Sequence, residues 1–445
     1  MDRGLKGAGP RHAGHATQLC EHIAMRDFPP FLNEHRVLTR RFFLGVGLGS
    51  LATVGRPRLA TAASPPSKNR AERLVRFGTY LTPPDGFEDV SRGKPIPHSL
   101  AADRKRAVGL TRETWKLEVL SDPEHPVRLG KPLTKSDGTA IDFPALMKLA
   151  ETRAVRFAKI MTCLNLGCPL GMGIWEGVPL RELVWMTEPH EDLRRVFYYG
   201  YHNDIPKQMF RSSLPIGRVF DDYFDLPPVI LCYKLNGQWL TSRRGGPVRI
   251  VVPEHYGFKS IKWLSHVVLT SLPHANDTYA EQGNDVDSPM KTFAATLSYP
   301  DVARAGEKIP LSGYAQVGVG GLSKVQILIG PEDDEPPADD PYLTKAAWRD
   351  VEILPPPAPK SWGGGLPGDR LPLPIQGFSP TTGLPNAWPM KLACAHWAGV
   401  HPGLPAGRYA LRCRAIDERG RAQPFPRPFA KSGRAVIESL AFVVR

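Results

Sequence analysis

Beyond about residue 291 the chain offers strand patterns and turns but no convincing helix, and this loss of helical periodicity divides the sequence in two. KVQILIG sets Val325, Ile327 and Ile329 on one face; MKLACA does the same with Met390, Leu392 and Cys394, and RYALRCRAID with Tyr409, Leu411 and Cys413. Side chains alternating with period two line one face of a pleated strand, so strands of this kind joined by turns predict a β-sandwich. Residues 331–389, dense in Pro and Gly, read as a long insertion between strands. Between 111 and 280 the pattern is mixed. TWKLEVL, RRVFYYGY and PVILCYKLNG alternate like strands, whereas FPALMKLAETR spaces Leu146, Leu149 and Ala150 as a helix does. This part predicts an α+β unit of short helices set against sheets.

A chain of 445 residues is long enough for two or three domains with ample core. The 42% hydrophobic and 23% charged content is that of a soluble globular protein. The net charge of +13 is spread along the chain without a Lys/Arg tract, which argues against nucleic acid as a partner. Six cysteines, without CxxC spacing, make neither a zinc site nor a dense disulfide framework.

Near the N-terminus, Arg40 and Arg41 precede an uncharged run from Phe42 to Gly55 and then the triplet Ala60, Thr61, Ala62. Positive, then apolar, then A-x-A is the order of a cleavable export signal. The run is too short and glycine-rich for a stable membrane span. Thr39-Arg40-Arg41-Phe42-Phe43-Leu44 closely resembles a twin-arginine signal, which implies a periplasmic protein loaded with its cofactor before export. Residues 1–63 are therefore expected to be leader and signal, with Met25 as an alternative start. Residues 64–105 read as an extended entry segment.

Two stretches carry the chemistry. In MTCLNLGCPLGMGIWEGVPLRELV, Cys163 follows the apolar AKIM at a strand end, and Gly167, Pro169, Gly171 and Gly173 keep bulk away from the loop. A cysteine there can be a nucleophile, a metal ligand, a disulfide partner or a small buried hydrophobe. In residues 233–269, VRIVV and SIKWLSHVVL flank a turn carrying Arg249, Lys259 and Lys262, with Arg244 just upstream and Gly245, Gly246 and Gly257 interspersed. Cations on rigid strands beside glycines suit a phosphate or another anion. The bland alternative is a solvated strand face.

Both stretches resemble the sulfite-oxidase-type molybdopterin enzymes. TCLNLGCPLGMGIWEGVPL resembles the segment whose cysteine thiolate bonds the metal, with Trp175, Gly177, Val178, Pro179 and Leu180 matching its downstream half. The resemblance implies Cys163 as the molybdenum ligand, and a soft thiolate suits a metal that changes oxidation state. NG-x-x-L…GGPVR-x-VVP-x-x-YG-x-KS-x-KWL resembles the part that holds the pterin and its phosphate, which implies Arg244, Arg249, Lys259, Ser260, Ile261 and Lys262 as contacts. Arg244 stands where many relatives have histidine. GYHNDIPKQMFRSSLPIGR places Asp204 at a cofactor-contact position, LTPPDGFEDVSRGKPIP suggests Arg92, and Tyr279 stands for a tyrosine near the metal.

The implied architecture is an α+β molybdopterin-binding domain at 64–285, then an immunoglobulin-like β-sandwich of the dimerisation type at 286–445. The implied cofactor is molybdenum–molybdopterin. The implied activity is two-electron oxygen-atom transfer on a small oxyanion or oxo compound such as sulfite. Sulfite-oxidising relatives commonly carry an arginine five residues after the ligand cysteine. Here that position is Cys168, for which Arg211 or Arg92 is a candidate replacement. There is no CxxCH haem attachment, so a separate electron carrier such as a cytochrome is expected, and a homodimer fits the sandwich type. Two other classes stay open at this point: an exported binding protein with a degenerate cofactor domain, and a hydrolase using Cys163 with His202 or His255.

Overall fold

The computed structural model describes Leu32, His35 and residues 70–166, 168–205, 208–274, 283–433 and 435–445. The N-terminal unit contains β1 (Lys116–Ser121), β2 (Ile141–Asp142), β3 (Val155–Thr162), β4 (Pro169–Pro179), β5 (Arg195–Gly200), β6 (Phe210–Pro215), β7 (Ile230–Leu235), β8 (Gln238–Trp239), β9 (Arg249–Val251) and β10 (Leu264–Thr270). They form one sheet in the order β2-β1-β10-β5-β6 and another in the order β3-β4-β7-β8, with β9 on β7. The helix expected at FPALMKLAETR spans Phe143–Arg153. The Asp142 carboxylate caps it by accepting from Ala145 N at 2.9 Å, a contribution of about 1 kcal/mol.

Alternation decides the faces of the first sheet. Leu117, Val119, Val196, Tyr198, Val267 and Leu269 turn into the main core, while Phe197, Tyr199 and Val268 turn the other way and pack with Leu32. The His35 ring lies on that second face, with Nε2 2.8 Å from Asp122 Oδ2 and Nδ1 against the Tyr199 hydroxyl. Leu32 and His35 belong to the stretch assigned to the leader, yet both are buried against this sheet. Arg40, Arg41 and the triplet at 60–62 lie outside the described residues.

The second unit holds β11 (Phe293–Ser298), β12 (Val302–Ala303), β13 (Ile309–Gln316), β14 (Lys324–Pro331), β15 (Arg349–Ile353), β16 (Cys394–His401), β17 (Gly407–Ile416) and β18 (Ser439–Val444). Their order is β11-β13-β16-β15-β14-β17-β18-β12, and the sheet curls so that Val325, Ile327, Trp397, Leu411, Cys413 and Phe442 share one core. This is the expected sandwich-like half.

Three expectations are corrected. The entry segment is not wholly extended: it contains helices Arg70–Phe77 and Ala102–Ala107. Met390 and Leu392 precede β16, since Leu392 adopts φ 65° and turns its carbonyl to accept from Ile160 N at 2.7 Å. That bond ties the sandwich to β3. The 331–389 insertion contributes β15 and then wraps the first unit, where Trp362 O accepts from Leu81 N at 2.8 Å and Gln376 N donates to Arg156 O at 2.8 Å. The Trp362, Ile375 and Phe378 side chains complete a core that also includes Ile160, Met172 and Ile174. Among the described residues no helix is long and apolar enough to cross a membrane.

Candidate active site

Strand β3 is buried along most of its length, and β4 along all of it. Buried on both faces, this hairpin is a rigid platform, and Cys163 follows the end of β3. The register pairs Thr162 with Pro169, and Cys163 N donates to Cys168 O at 3.2 Å. Burial and the neighbouring Glu88 push the Cys168 thiol up to about 11. The glycines of β4 do admit a close neighbour: a Cβ on Gly171 would stand 2.5 Å from the Phe87 ring. That neighbour is the chain's own entry loop, which closes over the hairpin.

Beside Cys163 opens a cavity of about 230 Å³ whose lining includes Arg92, Asn165, Arg244, Arg249, Ser260 and Lys262. Arg249 on β9 is buried, with Nη1 donating to Arg244 O at 2.9 Å and Nη2 to Ser260 O at 2.6 Å. Its guanidinium lies 5.3 Å from the Trp175 ring centroid. Burial pulls its pKa down to about 10, with the Arg244 charge adding to the effect and Cys232 opposing it. Arg244 Nη1 donates to Glu88 O at 3.2 Å, and burial lowers its pKa as well.

Lys262 Nζ is held by Asp89 Oδ1 at 3.1 Å, Ser91 Oγ at 2.7 Å and Arg243 O at 2.8 Å. Burial and the adjacent Arg249 pull its pKa to about 7. Burial acts to raise the Asp89 carboxyl, but the Ser91 hydroxyl and the Lys262 ammonium outweigh it and hold Asp89 well below the usual carboxylate range. Gly245 explains the double glycine here: it sits at φ 94°, and a Cβ on it would meet Lys262 Cγ at 2.7 Å. Gly257 brings the cradle loop against the Cys163 strand, where a Cβ would lie 3.3 Å from Thr162 O.

The structure thus gathers Cys163, Arg92, Arg244, Arg249, Ser260 and Lys262 at one cavity. The other residues named from sequence lie elsewhere. Lys259 donates to Ser213 O at 3.0 Å and lines a separate cavity of about 700 Å³ with His255. Ile261 is fully buried in the core of the first sheet. Asp204 is exposed, paired with Arg104 and accepting from the Tyr201 hydroxyl at 3.2 Å. Arg211 pairs with Tyr199 across β5 and β6 and does not line the cavity, and Tyr279 lies outside the described residues. Sequence reading missed Asp89 and Ser91 as the clamp on Lys262. It weighed His202 only as a base for Cys163. His202 lines the cavity, and burial, then Arg92, lower its pKa.

The polar atoms test what this cavity can hold. Arg244 Nε and Nη2, Arg249 Nε and Asn165 Oδ1 are buried without a hydrogen-bond partner. Guanidinium nitrogens left in this way point to an acceptor that the protein does not itself supply. Among the charged residues that line it, Arg92, Arg244, Arg249 and Lys262 stand against a single carboxylate, Glu88, which is already paired with Arg76 at 2.6 Å. The donor set fits an anionic group held beside a thiol.

Residues 106–278 match the family model described as "Oxidoreductase molybdopterin binding domain". The chain therefore carries a molybdopterin-binding oxidoreductase domain of the kind found in sulfite-oxidase-type enzymes. Its cofactor is molybdenum–molybdopterin, and the cavity residues fit that group. Among relatives, the chain is similar to a nitrate reductase [NADPH] of Beauveria bassiana, 31% identical over 30% of this chain and 14% of that protein. It is also similar to a nitrate reductase [NADH] of Volvox carteri, 30% identical over 31% of this chain and 17% of that one. The sulfite oxidase of Arabidopsis thaliana is 22% identical over 61% of this chain and 73% of its own length. The matches span only 14% to 22% of the nitrate reductases. The crystal structure of the sulfane dehydrogenase SoxCD from Paracoccus pantotrophus shares the fold, with a TM-score of 0.50 and 17% identity, covering 84% of this chain and 87% of that one.

Proposed function

We propose that this molybdopterin-family chain is an exported enzyme that transfers an oxygen atom, with two electrons, to or from a small oxyanion or oxo compound, with sulfite the first candidate. The observation that carries this is the convergence of Cys163 with Arg92, Arg244, Arg249 and Lys262 on one cavity. Relatives named for nitrate and for sulfite support the substrate class. The twin-arginine pattern at Arg40 and Arg41 supports export to the periplasm. Electrons leave through a separate carrier such as a cytochrome, and the sandwich half is the surface for a homodimer.

When bound, molybdenum–molybdopterin supplies the oxygen-atom and electron chemistry, with Cys163 as its protein ligand. The chain's own residues do the rest. Arg249 and Arg244, whose buried guanidinium nitrogens lack partners, would hold the cofactor's anionic part. Asp89 and Ser91 fix the Lys262 side chain in place before the cofactor arrives, and an anionic group beside it would favour its charged form. Phe87, Trp175 and Trp263 shield the cradle from water. Arg92 and His202 are the cationic and hydrogen-bonding groups available to orient an anionic substrate. Cys168 occupies the position of a substrate-binding arginine, so sulfite binds more weakly here than in relatives that keep that charge.

A substrate panel of sulfite, S-oxides, N-oxides and nitrate, assayed with an artificial electron carrier on molybdenum-loaded protein, tests the reading. Turnover of at least one oxyanion or oxo compound is expected. Loaded protein that turns over none of them contradicts it.

A further inference from the structure

The β3–β4 hairpin sets two thiols opposite one another. Its register runs on from the Thr162–Pro169 pair, and Cys163 N donates to Cys168 O at 3.2 Å. Antiparallel residues that exchange both backbone bonds stand about 5.5 Å apart at Cα, and the single bond here continues that ladder one residue past its last strand pair. A disulfide spans Cα separations of about 4.4–6.8 Å. Directly paired side chains also rise on the same face of the ladder. Both residues are free thiols of intermediate burial, whereas Cys232, Cys394 and Cys413 are free and buried. Only this pair combines opposition with access among the described cysteines, and Cys163 opens directly onto the cofactor cavity.

We propose that Cys163 and Cys168 close a reversible disulfide in the cofactor-free protein, and that this bond must be reduced before the cofactor is taken up. The second half rests on Cys163 being the metal's ligand, since a sulfur committed to a disulfide has no thiolate to offer. With oxidised glutathione as oxidant, one cysteine thiolate attacks a glutathione sulfur and releases one glutathione thiol. The other cysteine then attacks the mixed disulfide, gives up its proton to solvent and releases the second glutathione thiol. Two protein thiols become one disulfide while one glutathione disulfide becomes two thiols. An oxidising compartment favours closure and a reducing cytoplasm favours the open, loadable form.

The test uses the full chain made in cells that cannot synthesise the pterin. After exposure to oxidised glutathione, free thiols are alkylated and tryptic peptides are weighed. No Lys or Arg lies between Lys159 and Arg181, so both cysteines fall in the single peptide 160–181. The expected result is a peptide lighter by two hydrogens and free of alkylation, restored to two alkylated thiols by dithiothreitol. Cys168→Ala should instead carry glutathione on Cys163. Wild-type peptide with two alkylated thiols, or with glutathione on one cysteine only, overturns the disulfide. Molybdenum content after incubation with free cofactor reads the gate: oxidised protein takes up none and reduced protein loads. A disulfide that forms while oxidised and reduced protein load equally overturns the gate and leaves the disulfide established, and the ligand assignment of Cys163 is then read separately from the sulfur neighbours of the bound metal.

Discussion

Replacing Arg249 with methionine separates what holds the fold from what holds the cofactor. The guanidinium is buried and makes hydrogen bonds to two carbonyls, of Arg244 and Ser260. Orphaning each carbonyl costs about 1–3 kcal/mol. Against this, burial pulls the arginine from 12.5 to about 10, so the charged form is disfavoured there by about 3 kcal/mol. Methionine keeps the length of the chain over Trp175 and removes that penalty. The opposing terms are of similar size, so the stability of cofactor-free Arg249→Met should stay within about 2 kcal/mol of the parent in urea unfolding. Cofactor retention should behave differently. Loss of a charge-assisted hydrogen bond worth about 1.5–3 kcal/mol weakens binding about ten- to a hundred-fold. Molybdenum per chain, measured by mass spectrometry after gel filtration, reads that loss. A variant that loses more than about 4 kcal/mol of stability yet keeps its full metal content would make Arg249 a structural residue instead of a cofactor contact.

Two further outcomes follow from buried charges. Arg218 pairs with Glu254 at 2.7 Å where both side chains are almost wholly buried, so Arg218→Ala strands a carboxylate and should cost about 3–5 kcal/mol in denaturant unfolding. A loss under about 1 kcal/mol would contradict this. Lys262 and Lys159 are each pulled to about 7 by burial, and Lys291 to about 8, so the unfolded chain binds more protons than the folded one above about pH 7. Stability of the cofactor-free protein should therefore rise from about pH 7 to 9, and Lys262→Gln should flatten part of that rise; melting curves with equal slopes for parent and variant would count against the Lys262 environment described here.

Much of this molecule is written locally. The helix at Phe143–Arg153 follows from its apolar spacing and Asp142 cap, and the strands at 195–200 and 230–235 from alternation. GGPVR announced a close approach, and Gly245 provides it by admitting Lys262. What stayed hidden depends on distant pairing. Asp89 meets Lys262 across 173 residues of chain, which local periodicity does not encode. The grouping of Lys259 and Ile261 with Ser260 and Lys262 overlooked alternation within the cradle loop itself. Ser260 and Lys262 face the cavity, while Lys259, closing the 3₁₀ turn Gly257–Lys259, and Ile261 face away. The extended reading of the entry segment failed because helix Arg70–Phe77 is stabilised by packing of Phe77 on Tyr314, at 4.5 Å between ring centroids, rather than by its own propensity. The burial of Leu32 and His35 likewise depends on tertiary contact with Phe197, Tyr199 and Asp122.

X-ray absorption at the molybdenum edge, on loaded parent protein and on loaded Cys163→selenocysteine protein, reads the bond from residue 163 to the metal itself. The bond from Cys163 to the metal predicts one fewer sulfur neighbour in the variant and a selenium in its place, with the other sulfur scatterers unchanged. Identical sulfur coordination in the two proteins would place the metal's ligand at a residue other than Cys163.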